Sequence, residues 1–195
     1  SIITLPVLIF AGLPGSVANA TNRIGLVLQN TTAIFHFRRS GVSEKHLSWR
    51  LMLIAAVGAV LGAKLAAYMP DEKFNTTLGV LMLVLLVLII KKPEPKLVKE
   101  GETPENPWTQ LSRGKKAGLL TWFFILGAYA GFIQAGMGVM VLLVLGYFLR
   151  MDLVRGNYIK LLVILGLTFV AITTFMLSGV RIDWVAGLAT GTGQM

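Results

Sequence analysis

Long apolar stretches separated by short polar ones run through the chain, and their lengths predict membrane-spanning helices. A hydrocarbon core about 30 Å thick needs roughly 20 helical residues to cross it. Four stretches meet or approach that length, namely residues 16–37, 47–69, 74–90 and 153–177. The predicted fold class is therefore all-α, a polytopic transmembrane helical bundle.

Shorter apolar pieces lie between these spans. Residues 1–11 make half a span, and residues 117–133 and 137–149 predict a short helix and a half-length helix on either side of Gln134, Ala135 and Gly136. Because glycine relaxes the backbone, such a pair of short segments predicts a broken or re-entrant helix. Residues 184–195 begin one more apolar run. We expect a fragment that lacks parts of both ends, since this last run would leave a span unfinished.

A polar segment divides the chain into two halves. Residues 91–116 are rich in proline, lysine and glutamate, a composition that cannot bury apolar surface, and they predict a cytoplasmic linker. Residues 1–90 then form a first transmembrane repeat, incomplete at its N-terminus, and residues 117–195 a second repeat, incomplete at its C-terminus. The stretch 17–23 aligns with 154–160, which places Arg23 opposite Lys160.

Basic residues are distributed unevenly about the predicted spans. The loop after residue 37, the linker and the turn at 150–155 carry most of them, whereas the opposite side carries only Lys73 and Arg181. The richer side is predicted to be cytoplasmic. Residues 16–37 then run inward and residues 153–177 outward, so the halves are predicted to be inverted repeats. Inverted repeats with broken helices are typical of transporters that bind substrate near the midplane.

Composition narrows the function further. With 55% hydrophobic and 14% charged residues, the chain is too apolar for an ordinary soluble domain. It has no cysteine, and its two histidines and nine acids show no metal-binding spacing, so we predict neither a metal nor another cofactor. An intramembrane enzyme would lack a nucleophile and its base. The formal charge of +9 lies at the span ends, which indicates a bilayer partner and no nucleic acid.

Two cations lie inside predicted spans. Arg23 and Lys160 are each about seven residues from a span end, which is about 10 Å deep at 1.5 Å per residue. Ionisable residues at that depth usually have a function. Donor side chains and glycines accompany them, namely Asn19, Asn22, Gln134, Asn157, Gly136 and Gly138. This set predicts an oxyanion site, whereas the alternative is that both long side chains snorkel to the headgroups.

A third pattern concerns packing and not binding. Small residues recur along the second predicted span at Ala55, Ala56, Gly58, Ala59, Gly62 and Ala63. Such residues allow two helix backbones to approach closely. They predict a face for tight helix packing.

Several short motifs resemble the TauE/SafE sulfite exporter family, also described as anion permeases for sulfur-containing compounds. They are the turn at 12–14 followed by 18–23, the span end at 37–41, the small residues at 58–62 and the opening of the second half at 131–138. The likeness runs through nearly the whole chain. It implies a multi-pass permease of the bacterial inner membrane, with two homologous halves, that moves sulfite, sulfoacetate or related anions.

Together these observations predict a permease that moves a small sulfur-containing or organic anion by alternating access. Arg23 and Lys160 would supply charge, and the neighbouring amides would supply hydrogen bonds. The predicted partners are the anion and the bilayer, and a homo-oligomer is left open. The alternative is a membrane scaffold or assembly subunit without transport, in which both cations point to the headgroups.

Overall fold

The structure is a computed structural model that describes residues 3–39, 44–90 and 106–193. These ranges contain eight α-helices and no strand, which confirms the all-α prediction for this part of the chain. The helices are α1 (Thr4–Phe10), α2 (Gly15–Arg39), α3 (Lys45–Tyr68), α4 (Asp71–Ile90), α5 (Arg113–Phe132), α6 (Met137–Leu149), α7 (Leu153–Leu177) and α8 (Trp184–Thr192).

The four long predicted spans correspond to α2, α3, α4 and α7. Within the described ranges, the stretches His46–Tyr68 and Leu153–Leu177 are long and apolar enough to cross a membrane by length and composition. α2 has 25 residues but carries polar side chains between residues 19 and 32, which lower its hydrophobicity. Among the residues that the structure describes, two of the four predicted spans therefore meet this test.

α5 begins earlier than the sequence predicts. The side chain of Ser112 accepts a hydrogen bond from the Lys115 N–H and caps the helix, so the first turn forms at Arg113 and not at residue 117. α5 consequently has 20 residues and is not short. The linker prediction reaches into this first turn, and its residues 91–105 lie outside the described ranges.

The predicted break after α5 is confirmed. α5 ends at Phe132 and α6 begins at Met137, with Gln134 at φ 63° and Gly136 at φ 67° between them. α6 then turns back along α5, because a Cβ on Gly118 near the start of α5 would lie 3.1 Å from the Phe148 ring near the end of α6. The two helices form an antiparallel hairpin. Its placement as a re-entrant element of a bilayer stays a prediction.

Close packing of α3 against α5 confirms the predicted small-residue face. A Cβ on Gly127 would lie 1.9 Å from the Ala55 carbonyl oxygen, and a Cβ on Gly131 would lie 2.1 Å from the Ala59 carbonyl oxygen. Both contacts advance by four residues in the same direction, so α3 and α5 run parallel. The short separation of the two backbones is possible only because Gly127 and Gly131 have no side chain.

α2 and α7 run antiparallel and enclose the break. The Arg23 guanidinium near the start of α2 lies 5.1 Å from the Phe175 ring centroid near the end of α7. Towards the other end, Ile34 of α2 and Leu162 of α7 line one cavity of about 490 Å³. An inverted repeat requires these two helices to run in opposite directions, as they do here. The repeat itself stays a prediction.

Candidate functional site

A cavity of about 550 Å³ lies beside the break, between α2, α6 and α7. Its polar side chains come from α1, α2, the break and α7, namely Thr4, Gln29, Asn30, Gln134 and Lys160. Gly136 and Gly138 also line it. The described residues around this cavity include no Asp or Glu. The cavity therefore combines hydrogen-bonding groups with a positive charge.

Lys160 brings that charge to the cavity from the second turn of α7. Its side chain is half-buried and its ammonium group donates to the side-chain oxygen of Asn157. Asn157 in turn donates from Nδ2 to the Leu153 carbonyl at 2.8 Å. Because the amide of Asn157 is neutral, this contact orients the ammonium group without cancelling its charge.

The first turn of α6 lines the same cavity through Met137 and Gly138. A helix N-terminus carries a partial positive charge. In this turn the Met137 N–H donates to the Gln134 carbonyl at 3.4 Å and the Val139 N–H to the Gly136 carbonyl at 3.1 Å, so the turn contributes through its dipole. Gly136 is the N-cap in a left-handed conformation, and a Cβ there would lie 2.8 Å from Leu85 Cδ2. The left-handed backbone thus favours glycine at this position, whereas the end of the flexible Leu85 side chain could move aside. A Cβ on Gly138 would lie 3.5 Å from Lys160 Cδ, so the lysine passes directly beside this turn.

Arg23 lies behind the break and does not line the cavity. Its side chain is 1% exposed, and Nη2 donates to the carbonyl oxygens of Ala130 at 3.0 Å and Gly131 at 2.6 Å. These carbonyls belong to the last turn of α5, where they have no intrahelical donor. The guanidinium therefore caps α5, which excludes the snorkelling alternative for Arg23.

Gln134 connects Arg23 to the cavity. Its Oε1 accepts from Arg23 Nη1 at 2.7 Å, and its Nε2 donates to Thr168 Oγ1 at 2.7 Å. The Thr168 hydroxyl donates its own proton to the Ile164 carbonyl at 2.7 Å. A hydrogen-bonded chain therefore runs from α2 through the break to α7. Both ends of the Gln134 amide are held by partners, which determines its orientation.

Asn19 and Asn22 are buried and do not line the cavity. Asn19 Nδ2 donates to the Phe132 carbonyl at 2.6 Å, another contact with the end of α5. Within the described part of the chain, the side-chain oxygens of both asparagines and Nε of Arg23 are buried without a hydrogen-bond partner. Buried polar atoms of this kind usually bind water or a ligand.

The structure divides the eight predicted site residues into two groups. Gln134, Gly136, Gly138 and Lys160 line the cavity, and Asn157 holds Lys160 beside it. Of the remaining residues, Arg23 and Asn19 contact the end of α5, and Asn22 is buried next to Arg23 in the sequence. Gln134 is the contact between the two groups.

Sequence reasoning missed Gln29 and Asn30, which line the cavity from α2. They follow Asn22 and Arg23 by seven residues, which is about two helical turns and places them on the same face. A polar stripe with this spacing along a long helix could have identified them. Thr168 stands eight residues after Lys160 and could have been found in the same way on α7.

Comparisons with known proteins agree with a membrane location. The chain matches the family described as "Sulfite exporter TauE/SafE" over residues 1–195. A protein of Sinorhizobium sp. named "Probable membrane transporter protein ORF9" is 32% identical over 92 residues, which are 47% of this chain and 35% of that protein. No solved structure matches the chain. Because the family match extends over all 195 residues and confirms the resemblance in the motifs, the chain belongs to the TauE/SafE sulfite exporter family.

Proposed function

We propose that this chain is part of a membrane transporter that binds a small oxyanion of the sulfite or sulfonate class in the cavity beside the break. The observation that carries the proposal is the lining itself. Lys160, Gln134 and the N-terminal turn of α6 meet there, and none of the described lining residues is acidic. The family description supports sulfite as the substrate class, and the name of the Sinorhizobium relative supports transport.

The donors fit the chemistry of such anions. Sulfite and sulfonates carry negative charge spread over three oxygens, so each offers several acceptors to donors on different sides. The ammonium group of Lys160 has three donors, and a helix N-terminus contributes roughly half a positive charge. The positive charge of these groups together matches the one or two negative charges of the anion. A cavity of about 550 Å³ also leaves room for bridging water or for the organic part of a sulfonate.

Arg23 is assigned a positioning role in this proposal. Its Nη atoms are occupied by the carbonyls of α5 and by Gln134, so it reaches the anion only through the Gln134 amide. By capping α5 and orienting Gln134, it gives the cavity its shape. Arg23 differs in this respect from Lys160, whose charge faces the cavity directly.

Alternating access requires two arrangements of the helices that border the site. The break supplies a joint between α5 and α6, because no helical hydrogen-bond ladder continues through residues 133–136. Movement of α6 at this joint would carry its N-terminal turn away from Lys160 and would release the anion. This step links the geometry of the break to transport.

The test is uptake of radiolabelled sulfite and sulfoacetate by vesicles that contain the full-length protein. Lys160→Gln should raise the KM for anion about tenfold or more, since it removes the one charge among the described lining residues. Lys160→Arg should retain binding. Lys64→Gln is the matched control, because Lys64 is an exposed cation on α3 that does not line the cavity. Normal uptake by Lys160→Gln at equal membrane abundance would overturn the proposal.

A further inference from the structure

Two cations share the ring of Trp108, which lies in the turn before α5. Arg50 Cζ of α3 is 5.7 Å from the ring centroid, and Lys116 Nζ of α5 is 5.5 Å from it. Cation–π attraction at these distances holds both cations near one half-buried aromatic side chain. The ring thereby concentrates positive charge where the first turns of α3 and α5 lie side by side.

The described sequence around this charge is poor in acids, and Glu44 at the N-cap of α3 pairs with Arg155 Nε at 3.1 Å. α3 contains no Asp or Glu, and neither does the continuous stretch 106–132 that includes the turn and all of α5. The same turn of α5 adds two exposed cations, Arg113 and Lys115. Two positive charges beside one ring repel each other, and a bound anion would reduce this repulsion. The cluster of Arg50, Trp108 and Lys116 is therefore suited to an anionic ligand.

We propose that this cluster binds the headgroup phosphate of an anionic phospholipid. The surface beside the cluster favours a lipid over a soluble phosphate, because exposed apolar side chains continue along both helices, with Leu53 and Val57 on α3 and Trp122 and Ile125 on α5. They provide an apolar surface for acyl chains on the same two helices as the cations. Exposed Trp49 next to Arg50 fits the aromatic belt at the headgroup level.

The predicted topology places the cluster in the cytoplasmic leaflet. Anionic lipids give that leaflet a negative surface potential, which attracts each nearby Lys or Arg. A phosphate bound between Arg50 and Lys116 would hold the starts of α3 and α5 together. Neither cation lines the cavity, so this site is independent of the proposed transport function.

The experiment measures lipid retention by native mass spectrometry on the full-length protein titrated with phosphatidylglycerol or phosphatidylcholine. Replacing both cations, Arg50→Gln with Lys116→Gln, should weaken phosphatidylglycerol retention about tenfold or more. The matched control is Lys73→Gln with Arg181→Gln, which removes the same charge from two exposed residues predicted on the opposite side. The control should retain phosphatidylglycerol normally. Equal retention by both double variants, or equal retention of the two lipids, would overturn the proposal.

Two further measurements complete the experiment. The first tests whether the cluster binds a soluble anion, and the second keeps the proposal testable if the double variant does not fold. Inorganic phosphate should not displace phosphatidylglycerol, and complete displacement would assign the cluster to a soluble anion. In a variant that keeps Trp108 as its single tryptophan, made by Trp49→Phe, Trp122→Phe and Trp184→Phe, brominated phosphatidylglycerol should quench the fluorescence more than brominated phosphatidylcholine does. Equal quenching by the two lipids would contradict the lipid site even if the double variant does not fold.

Discussion

Arg23 Nη1 lies 2.7 Å from Oε1 of Gln134, a residue 111 positions away that adopts a left-handed backbone conformation. A non-glycine residue in that region costs of order 1–3 kcal/mol and persists only where its surroundings hold it. Gln134 is held from both sides, by Arg23 and by Thr168. The buried arginine therefore stabilises the shape of the break and, through it, the wall of the cavity.

Replacing Arg23 should destabilise the break. Arg23→Gln would leave the Ala130 and Gly131 carbonyls without their donor, at about 1–3 kcal/mol for each buried group. We expect membrane insertion to persist, the melting temperature in detergent to fall by several degrees and uptake to be lost. Arg23→Lys should be intermediate, since it keeps a point charge but loses the planar fork of donors. Wild-type melting and uptake in Arg23→Gln would contradict the capping role.

A carboxylate beside Lys160 should weaken anion binding. Asn157→Asp would place a negative charge where the amide oxygen now accepts from the ammonium group, so it would neutralise that group and repel the substrate. We expect the KM for uptake to rise about tenfold or more, with little change in melting temperature. Asn157→Ser, which introduces no charge, is the control and should stay within a few-fold of wild type. An unchanged KM in Asn157→Asp would argue against an anion in this cavity.

Close approach of α3 and α5 can be tested with a single methyl group. Gly127→Ala would place Cβ 1.9 Å from the Ala55 carbonyl oxygen, so the helices must separate, at a cost of about 1–3 kcal/mol or more. We expect a lower melting temperature. Gly79→Ala on α4 is the matched control, because a Cβ there has no atom within 4 Å among the described residues. Equal melting of the two variants would show that the backbones are not packed as described.

The predicted topology can be measured by cysteine labelling, since the sequence has no cysteine of its own. Single cysteines at Thr109 and Glu72 are both exposed and lie on opposite sides in the predicted arrangement. An impermeant thiol reagent should modify Thr109→Cys only from the cytoplasmic side and Glu72→Cys only from outside. Modification of both from one face would remove the inverted-repeat hypothesis.

The sequence by itself was sufficient for the helices and for the break between them. Backbone polar groups in a hydrocarbon layer must be hydrogen-bonded within the chain, and a long apolar run satisfies this requirement by forming a helix. α7 begins and ends at the residues that the sequence predicts. Gly136 marked the start of α6, because its left-handed backbone conformation disfavours other residues. α5 begins earlier than predicted because Ser112 caps it, and the hydrophobicity pattern does not reveal such a cap.

The different surroundings of Arg23 and Lys160 were decided only by the tertiary structure. Arg23 and Lys160 have similar surroundings in the sequence, with asparagines before each and apolar residues after. The end of α5 lies opposite Arg23, where free carbonyls attract the guanidinium, whereas a cavity and the positive end of α6 lie opposite Lys160. Which helix end meets which side chain depends on the packing of α5 against α3 and of α2 against α7. Those contacts join residues about 70 to 150 positions apart, so the sequence around each residue does not predict them.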